Sequence, residues 1–239
     1  MKVGVLMMSI DKNLDKIRHN IEDVAQGCGR DFKDILLLGV TKTVDTDLVE
    51  EAMKYGITDV GENKPQELSR KYELIGDRVK WHQIGSLQTN KVKYIIDKVE
   101  LIHSLDRISL AKEIQKRAEQ HDITVKCLVQ VNVSKEESKH GIYAEDVESF
   151  IRECSEKYDR IKITGLMTMA PFDAEKEEVR SVFRDLKKLS DDISKLKLPN
   201  VEMKDLSMGM SQDFDIAIEE GATIVRIGTS IFGKRNYNK

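Results

Sequence analysis

Short apolar runs alternate with amphipathic helical patterns along the whole chain of 239 residues, and this alternation restricts the possible folds more than any other feature. A strand-helix repeat of this kind is typical of a parallel sheet covered by helices. No linker-like segment interrupts the repeat. The eight predicted strands are 35–42, 57–61, 81–86, 100–105, 125–133, 161–169, 201–206 and 223–227. Eight such units in a chain of this length predict one closed (β/α)8 TIM barrel.

An extra helix is predicted ahead of the first strand, with Ser9 as its cap and Ile10 and Leu14 beginning its apolar stripe. We therefore expect a single domain over 1–239, made of an N-terminal helix and lead-in (1–34), the barrel (35–233) and a tail (234–239). An open doubly wound sheet has the same periodicity. The absence of a GxGxxG motif after the first strand argues against that alternative.

The composition excludes several classes of partner. Lys and Arg number 39 and Asp and Glu 42, so the net charge of -3 provides no basic field for nucleic acid. No segment approaches the roughly 18 apolar residues of a membrane span, and Met1 to Met8 has no cleavage pattern of a secretory signal. Cys28, Cys127 and Cys154 are scattered without metal-type spacing. We expect a cytoplasmic monomer with no bound metal.

The first strand ends in a lysine, Lys42. In a barrel the chemistry lies at the carboxyl ends of the strands, where this lysine would project. A partly desolvated lysine becomes a neutral nucleophile toward carbonyl groups, so Lys42 is a candidate for a Schiff base. The same side chain could instead extend from the strand end into solvent.

The loops after the seventh and eighth predicted strands are rich in small residues and hydroxyls. Gly209-Met210-Ser211 precedes one helix and Gly228-Thr229-Ser230 follows the last strand. Barrels often bind phosphate in these two loops through backbone amides. Glycine with serine is also ordinary turn chemistry, but two such loops beside a strand-end lysine support a phosphate site.

Pyridoxal 5'-phosphate (PLP) is an aldehyde that pairs with a lysine and carries a phosphate. Arg226, on the last strand, then has a candidate role. An arginine facing the pyridine nitrogen keeps that nitrogen unprotonated and makes the ring a poorer electron sink. The alternative for Arg226 is an ion pair at the rim of the barrel.

Several motifs, in order from about Leu36 to Gly233, resemble the pyridoxal-phosphate homeostasis protein family. They are Gly39-Val40-Thr41-Lys42-Thr43, Gly61-Glu62-Asn63, the segment 81–91, Gly165-Leu166-Met167, the segment 206–211 and the segment 225–233. The resemblance implies a fold-type III barrel like the N-terminal domain of alanine racemase.

The resemblance also implies how the cofactor is held. Lys42 would carry it, Ser211, Gly228 and Thr229 would hold its phosphate, Arg226 would face its ring nitrogen, and Asn63 and Ser207 would line the pocket. The implied role is storage or delivery of PLP inside the cell, with an indirect effect on amino-acid and keto-acid balance and without essential catalysis. PLP-dependent apo-enzymes would be transient partners.

Two enzymatic alternatives stay open. A weak amino-acid racemase would need acid and base groups on both faces of the substrate carbon. Alanine racemases take the second group from a tyrosine of a further domain, and no tyrosine of this chain lies at a predicted strand end. The other alternative is an aldolase-like barrel whose lysine captures a sugar phosphate directly.

Overall fold

A computed structural model of the protein describes residues 9–136 and 140–233, and all structural statements refer to these residues. Its strands are β1 (Leu36–Val40), β2 (Asp59–Glu62), β3 (Lys80–Gln83), β4 (Val99–Leu105), β5 (Val125–Asn132), β6 (Ile142–Tyr143), β7 (Ile161–Met167), β8 (Val201–Ser207) and β9 (Ile224–Ile227). Its α-helices are α1 (Ile10–Gly27), α2 (Thr46–Lys54), α3 (Pro65–Ile75), α4 (Ile108–His121), α5 (Val147–Lys157), α6 (Lys176–Ser194), α7 (Phe214–Glu219) and α8 (Thr229–Phe232).

Eight of these strands form a closed parallel barrel. Each pairs with the next in the order β1, β2, β3, β4, β5, β7, β8, β9, and β9 returns to β1 with Leu38 opposite Arg226. The pairing of β4 with β5 completes the circle. The (β/α)8 prediction is therefore confirmed, and the doubly wound alternative is wrong because an open sheet would leave two unpaired edges.

The helix ahead of the barrel is also present. In α1 the apolar stripe predicted from the sequence is buried, including Leu14 and Ile17. The helix packs against α7 and α8, and Asn13 Nδ2 donates a hydrogen bond to the carbonyl of Ile231 at 2.9 Å. It therefore joins the start of the described chain to the helices that follow the last two strands of the barrel.

Two apolar clusters fill the structure. The larger lies between the barrel and its surrounding helices. The smaller contains Leu38, Leu101, Leu128, Met167 and Ile224, contributed by five strands. Because side chains alternate between the two faces of a strand, Leu38 and Val40 of β1 point to the same side, and Val40 lines a cavity at the carboxyl end of the barrel. The smaller cluster thus lies inside the barrel, beneath that cavity.

Three local features of the structure do not follow from the sequence pattern. The polar segment 88–97 has the length of an α-helix but contains a short 3-10 helix, Thr89–Tyr94, in which only Val92 is buried, too little apolar surface to hold a longer α-helix. Asp106 would be a favourable N-cap, but the N-cap of α4 is Arg107. Strand β6 was not predicted, since a two-residue strand has no detectable period. No helix of the described part is both long and apolar enough to span a membrane.

Candidate functional site

A cavity of about 850 Å³ opens at the carboxyl ends of the strands. Six of the seven predicted site residues line it: Lys42, Asn63, Ser211, Arg226, Gly228 and Thr229. The seventh, Ser207, is fully buried behind Arg226 and is not among the residues of the cavity wall. Residues far apart in the sequence therefore meet in one place, because parallel strands end at the same edge of the barrel.

Lys42 lies two residues beyond the end of β1 and is half-buried. Both of its neighbours are held by α3 and β2. Thr41 Oγ1 donates a 2.7 Å hydrogen bond to Glu62 Oε1, and the amide of Thr43 donates to Glu67 Oε1 at 2.8 Å. The backbone on each side of Lys42 is thus fixed by a carboxylate, which restricts where its amine can reach.

A fully buried lysine connects these two carboxylates. Lys71 Nζ lies 2.6 Å from Glu62 Oε1 and 3.0 Å from Glu67 Oε1, and it donates to the carbonyl of Thr41 at 2.6 Å. Burial raises the pKa of Glu62, and the charge of Lys71 opposes that rise. The second oxygen of Glu62 has no hydrogen bond partner among the described residues. This cluster supports the Lys42 side of the cavity.

Arg226, in the middle of β9, is buried with 5% of its surface exposed. Its Nη1 donates to Ser207 Oγ at 2.7 Å and its Nη2 to the carbonyl of Thr168 at 2.9 Å. These bonds use two of the five N–H donors of a guanidinium. Burial lowers the pKa of Arg226 to about 10, and Asp213 opposes that shift. The side chain is therefore a cation at neutral pH, fixed at the wall of the cavity.

A hydrogen-bonded chain continues from Ser207 through the interior of the barrel. His103 Nδ1 lies 2.9 Å from Ser207 Oγ, and His103 Nε2 lies 2.9 Å from His82 Nδ1. His82 Nε2 lies 2.9 Å from Asp59 Oδ1. Both histidines are buried. The chain joins strands β8, β4, β3 and β2 behind the arginine.

The loops after β8 and β9 form the side of the cavity where phosphate was predicted. Gly228 is the N-cap of α8, so the amides of Thr229 and Ser230 have no partner within that helix. Ser211 is half-buried on the adjoining loop. Gly209 has φ +89°, and a Cβ there would lie 2.6 Å from that of Ala217. This glycine lets the loop bearing Ser211 lie close to α7.

Carboxylates also lie on this side. Asp213 lines the cavity and its Oδ1 accepts a hydrogen bond from the amide of Met210. Burial raises the pKa of Asp213, while the amide and the charge of Arg226 act in the opposite direction. Asp215 lines the same cavity. The electrostatic balance of this wall is therefore set by one buried cation and two acids.

The donor set fits PLP. A primary amine, a buried cation and a loop with amides and hydroxyls face one cavity that is large enough for a substituted pyridine with a phosphate. The wall that follows β2 and β3 is closely packed, because a Cβ on Gly85, which lines the cavity, would lie 2.5 Å from the carbonyl oxygen of Asn63. The described residues include no group of three or more His, Cys, Asp or Glu side chains that could hold a metal ion.

Comparison with known proteins identifies the family. The family model "Alanine racemase, N-terminal domain" matches residues 12–236. The chain is 45% identical to the pyridoxal phosphate homeostasis protein of Aquifex aeolicus, over 96% of this chain and 100% of that protein. The chain belongs to the pyridoxal phosphate homeostasis protein family. The family resemblance in the sequence is thereby confirmed.

Solved structures agree with this family membership. A protein from Bifidobacterium adolescentis, described as unknown, has a TM-score of 0.89 and 34% identity, with 93% of this chain and 94% of that chain covered. PipY from Synechococcus elongatus PCC7942, solved with PLP bound, has a TM-score of 0.83 and 27% identity, with 94% of this chain and 100% of that chain covered.

Two groups of residues around the site were missed by sequence reasoning. One is Lys71 with Glu67, whose spacing of four on α3 is a common surface pair and does not indicate burial. The other is His82, His103 and Asp59. Each lies inside one of three separate predicted strands, and this was a usable signal, because buried polar side chains need hydrogen-bond partners.

Proposed function

We propose that this protein binds PLP in the cavity at the carboxyl end of the barrel and holds it as a Schiff base on Lys42. Ser211, Gly228 and Thr229 bind the phosphate, Arg226 faces the ring nitrogen and Asn63 lines the pocket. Ser207 acts from behind Arg226. The observation that carries the proposal is the meeting of Lys42 and the buried Arg226 in one cavity with the two hydroxyl-rich loops.

The bound group would supply an electrophilic aldehyde and an aromatic ring, and the protein supplies their placement. Lys42 offers the amine at the end of β1. The Arg226 guanidinium presents N–H donors that do not give up a proton near pH 7, so it favours an unprotonated ring nitrogen. An environment of this kind suits holding the cofactor better than stabilising a carbanion on it.

We propose storage and delivery of PLP in the cell, with transient docking of PLP-dependent apo-enzymes and without an essential catalytic reaction. The name of the Aquifex aeolicus relative supports the homeostatic part of this proposal. The described residues that line the cavity include no tyrosine to serve as a second acid or base opposite Lys42, which argues against a racemase of the alanine racemase type. The monomeric state and cytoplasmic location expected from the sequence stay predictions.

The absorbance of the purified protein tests this function. We expect a visible band of lysine-bound PLP in the wild type, bleached by borohydride and absent in Lys42→Ala. Lys176→Ala is the matched control, because Lys176 also lines the cavity but lies at the start of α6; it should keep the band. Peptide mass spectrometry after reduction should place the cofactor on Lys42. A wild type that stays colourless with added PLP would refute the proposal.

Two further assays separate the alternatives. Turnover of a panel of amino acids by the wild type, lost in Lys42→Ala, would favour a racemase. Trapping by borohydride only in the presence of a sugar phosphate would favour the aldolase-like barrel. Delivery is tested by activation of a PLP-dependent apo-enzyme mixed with the loaded protein or separated from it by a dialysis membrane. Faster activation in the mixed sample is expected for docking.

A further inference from the structure

The series of buried hydrogen bonds behind Arg226 has a direction of hydrogen donation that follows from the group at its far end, Asp59. Burial raises the pKa of Asp59, but hydrogen bonds from His82 and Thr58 outweigh burial and the net pKa is lowered. Asp59 is therefore a carboxylate at neutral pH and can only accept. The nitrogen facing it, His82 Nε2, must carry a hydrogen.

The remaining hydrogens follow one after another. With a neutral His82, its Nδ1 is an acceptor, so His103 Nε2 must donate to it. With a neutral His103, its Nδ1 accepts from the hydroxyl of Ser207. Ser207 Oγ in turn accepts from Arg226 Nη1. Every donor then points from Arg226 toward Asp59, and every bond of the chain is satisfied without a charge on either imidazole.

We propose that Asp59, His82 and His103 are positioning residues that hold the Arg226 guanidinium through Ser207 and so set the environment of the ring nitrogen of bound PLP. This inference rests on the proposed function. None of these three residues lines the cavity, so each acts only through the chain. The observation behind it is the unbroken series of four side-chain contacts, none longer than 2.9 Å, from Arg226 to Asp59.

A proton added to the histidine pair would reverse this order. An imidazolium at His82 donates from both nitrogens, which forces His103 to donate from Nδ1 to Ser207. The Ser207 oxygen would then receive two N–H groups, and its own hydrogen would need a different acceptor. The contact between Ser207 and Arg226 would be weakened, and the guanidinium would lose one of its two fixed bonds to the wall.

The charged groups around the pair act on such a proton in opposite directions. Arg226 faces His103 through Ser207 from β9 and opposes a proton on that ring, whereas the Asp59 carboxylate faces His82 from β2 and favours one there. Lys80 acts on Asp59 from the start of β3, and Asp213 acts on Arg226 from the loop before α7. Burial, with the neighbouring His82 and Arg226, lowers the pKa of His103 well below its usual range. We therefore expect a neutral His103 near pH 7, as the order from Arg226 to Asp59 requires, and loss of that order in acid.

Nitrogen-15 NMR of the histidine rings in PLP-free protein tests the order directly. At pH 7.5 we expect both His82 and His103 to be neutral with the hydrogen on Nε2. An imidazolium, or hydrogen on Nδ1 of either ring, would overturn the inference. This measurement does not involve the cofactor, so its failure is distinct from a failure of the proposed function, which would appear as no PLP binding by the wild type.

PLP titrations from pH 5.5 to 8.5 test the link to the cavity. Asp59→Asn keeps the shape of the side chain, but its amide can either donate a hydrogen bond to His82 or accept one from it. We expect PLP affinity at pH 7.5 to fall about tenfold, the typical effect of losing one charge-assisted hydrogen bond. The pH dependence of binding should also flatten. Ser104→Ala is the matched control: Ser104 is a buried neighbour of His103 whose hydroxyl has no partner among the described residues. It should bind PLP within about twofold of the wild type.

The inference fails if a folded Asp59→Asn binds PLP like the wild type across this range. Should Asp59→Asn not fold, His103→Gln is the second variant, since its amide can occupy part of the imidazole site. It should show the same tenfold loss and flattened profile. Unchanged binding in His103→Gln would equally overturn the inference.

Discussion

The two sides of the cavity hold their cations in opposite ways. On the lysine side, a buried ion cluster fixes the backbone around Lys42. It consists of Lys71, Glu62, Glu67 and Thr41. On the arginine side, a chain of hydrogen-bonded side chains fixes the guanidinium itself. It runs through Ser207, His103 and His82 to Asp59. The first fixes the backbone that carries the amine of Lys42, and the second holds the guanidinium of Arg226 by a direct hydrogen bond.

This difference follows from what each cation must do. An amine that forms a Schiff base has to lose its proton, so a nearby carboxylate would act against it by favouring the charged form. On the lysine side the carboxylates are bound to Lys71 and to the neighbours of Lys42. Arg226 only has to remain a donor, and a neutral partner is sufficient to orient it.

Removal of the buried lysine should have the largest effect. Lys71→Met leaves Glu62 as a buried carboxylate without its ion partner, which should lower the free energy of unfolding by about 3 to 5 kcal/mol. Lys126→Met is the control, because Lys126 pairs with Glu100 on the surface and such pairs contribute about 0 to 1 kcal/mol. Urea unfolding of both variants measures the difference. Equal losses would show that burial of the cluster is unimportant.

Two hydroxyl deletions should separate stability from binding. Thr41→Val removes a donor to Glu62 and Ser207→Ala interrupts the arginine chain, each costing about 1 to 3 kcal/mol of stability. Of the two variants, only Ser207→Ala removes a hydrogen bond from Arg226, which lines the cavity. We therefore expect Ser207→Ala to lower PLP affinity more than Thr41→Val does. Urea unfolding and PLP titration of the two variants side by side check this, and the reverse ranking in affinity would contradict the comparison.

The two sides should also respond to pH with opposite sign. The folded pKa of His103 lies below its ordinary value of 6.5, so its contribution to stability is complete above about pH 6.5 and is lost as the pH falls. The pKa of Glu62 is raised above 4.5, so its contribution is complete below that pH and is lost as the pH rises.

Unfolding free energies at pH 5, 6 and 7 test these signs. The difference between wild type and His103→Asn should grow with pH, and the difference between wild type and Glu62→Gln should shrink. A single group limits each slope to about 1.4 kcal/mol per pH unit. Slopes of the same sign would disprove the contrast.

The smallest effect is expected beside Lys42. Thr43 has φ 60°, a conformation that costs non-glycine residues about 1 to 2 kcal/mol. Thr43→Gly relieves that cost but makes the unfolded chain more flexible, so stability should rise by no more than about 1 kcal/mol. A thermal melt measures the change in stability. A clear loss of stability would mean that the side chain of Thr43 itself stabilises the backbone beside Lys42.

Much of the site could be predicted from the sequence because its residues come directly after apolar strands. Lys42 follows β1, and Arg226 lies within the short run that forms β9. The glycine and hydroxyl loops were expected at this end of the barrel from their positions after the last two strands, and Ser211, Gly228 and Thr229 line the cavity. Ser207 was expected to line the pocket, but the structure places it behind Arg226. A side chain at the end of a strand can face either the cavity or the layer of side chains below it, and the hydrophobic pattern of the sequence does not distinguish these two orientations.

The sequence by itself determined that eight strand-helix units form a parallel sheet covered by helices, and it determined which strand ends carry polar chemistry. Closure of that sheet into a barrel is established by the pairing of β9 with β1 and of β4 with β5. Only the tertiary structure decided how those ends are supported. Lys71 and Glu62 are nine residues apart, whereas His103 and Ser207 are separated by 104. Contacts across a barrel depend on register and on the direction of each side chain. Neither property is encoded in a local pattern, because both are set by packing of the whole ring of strands.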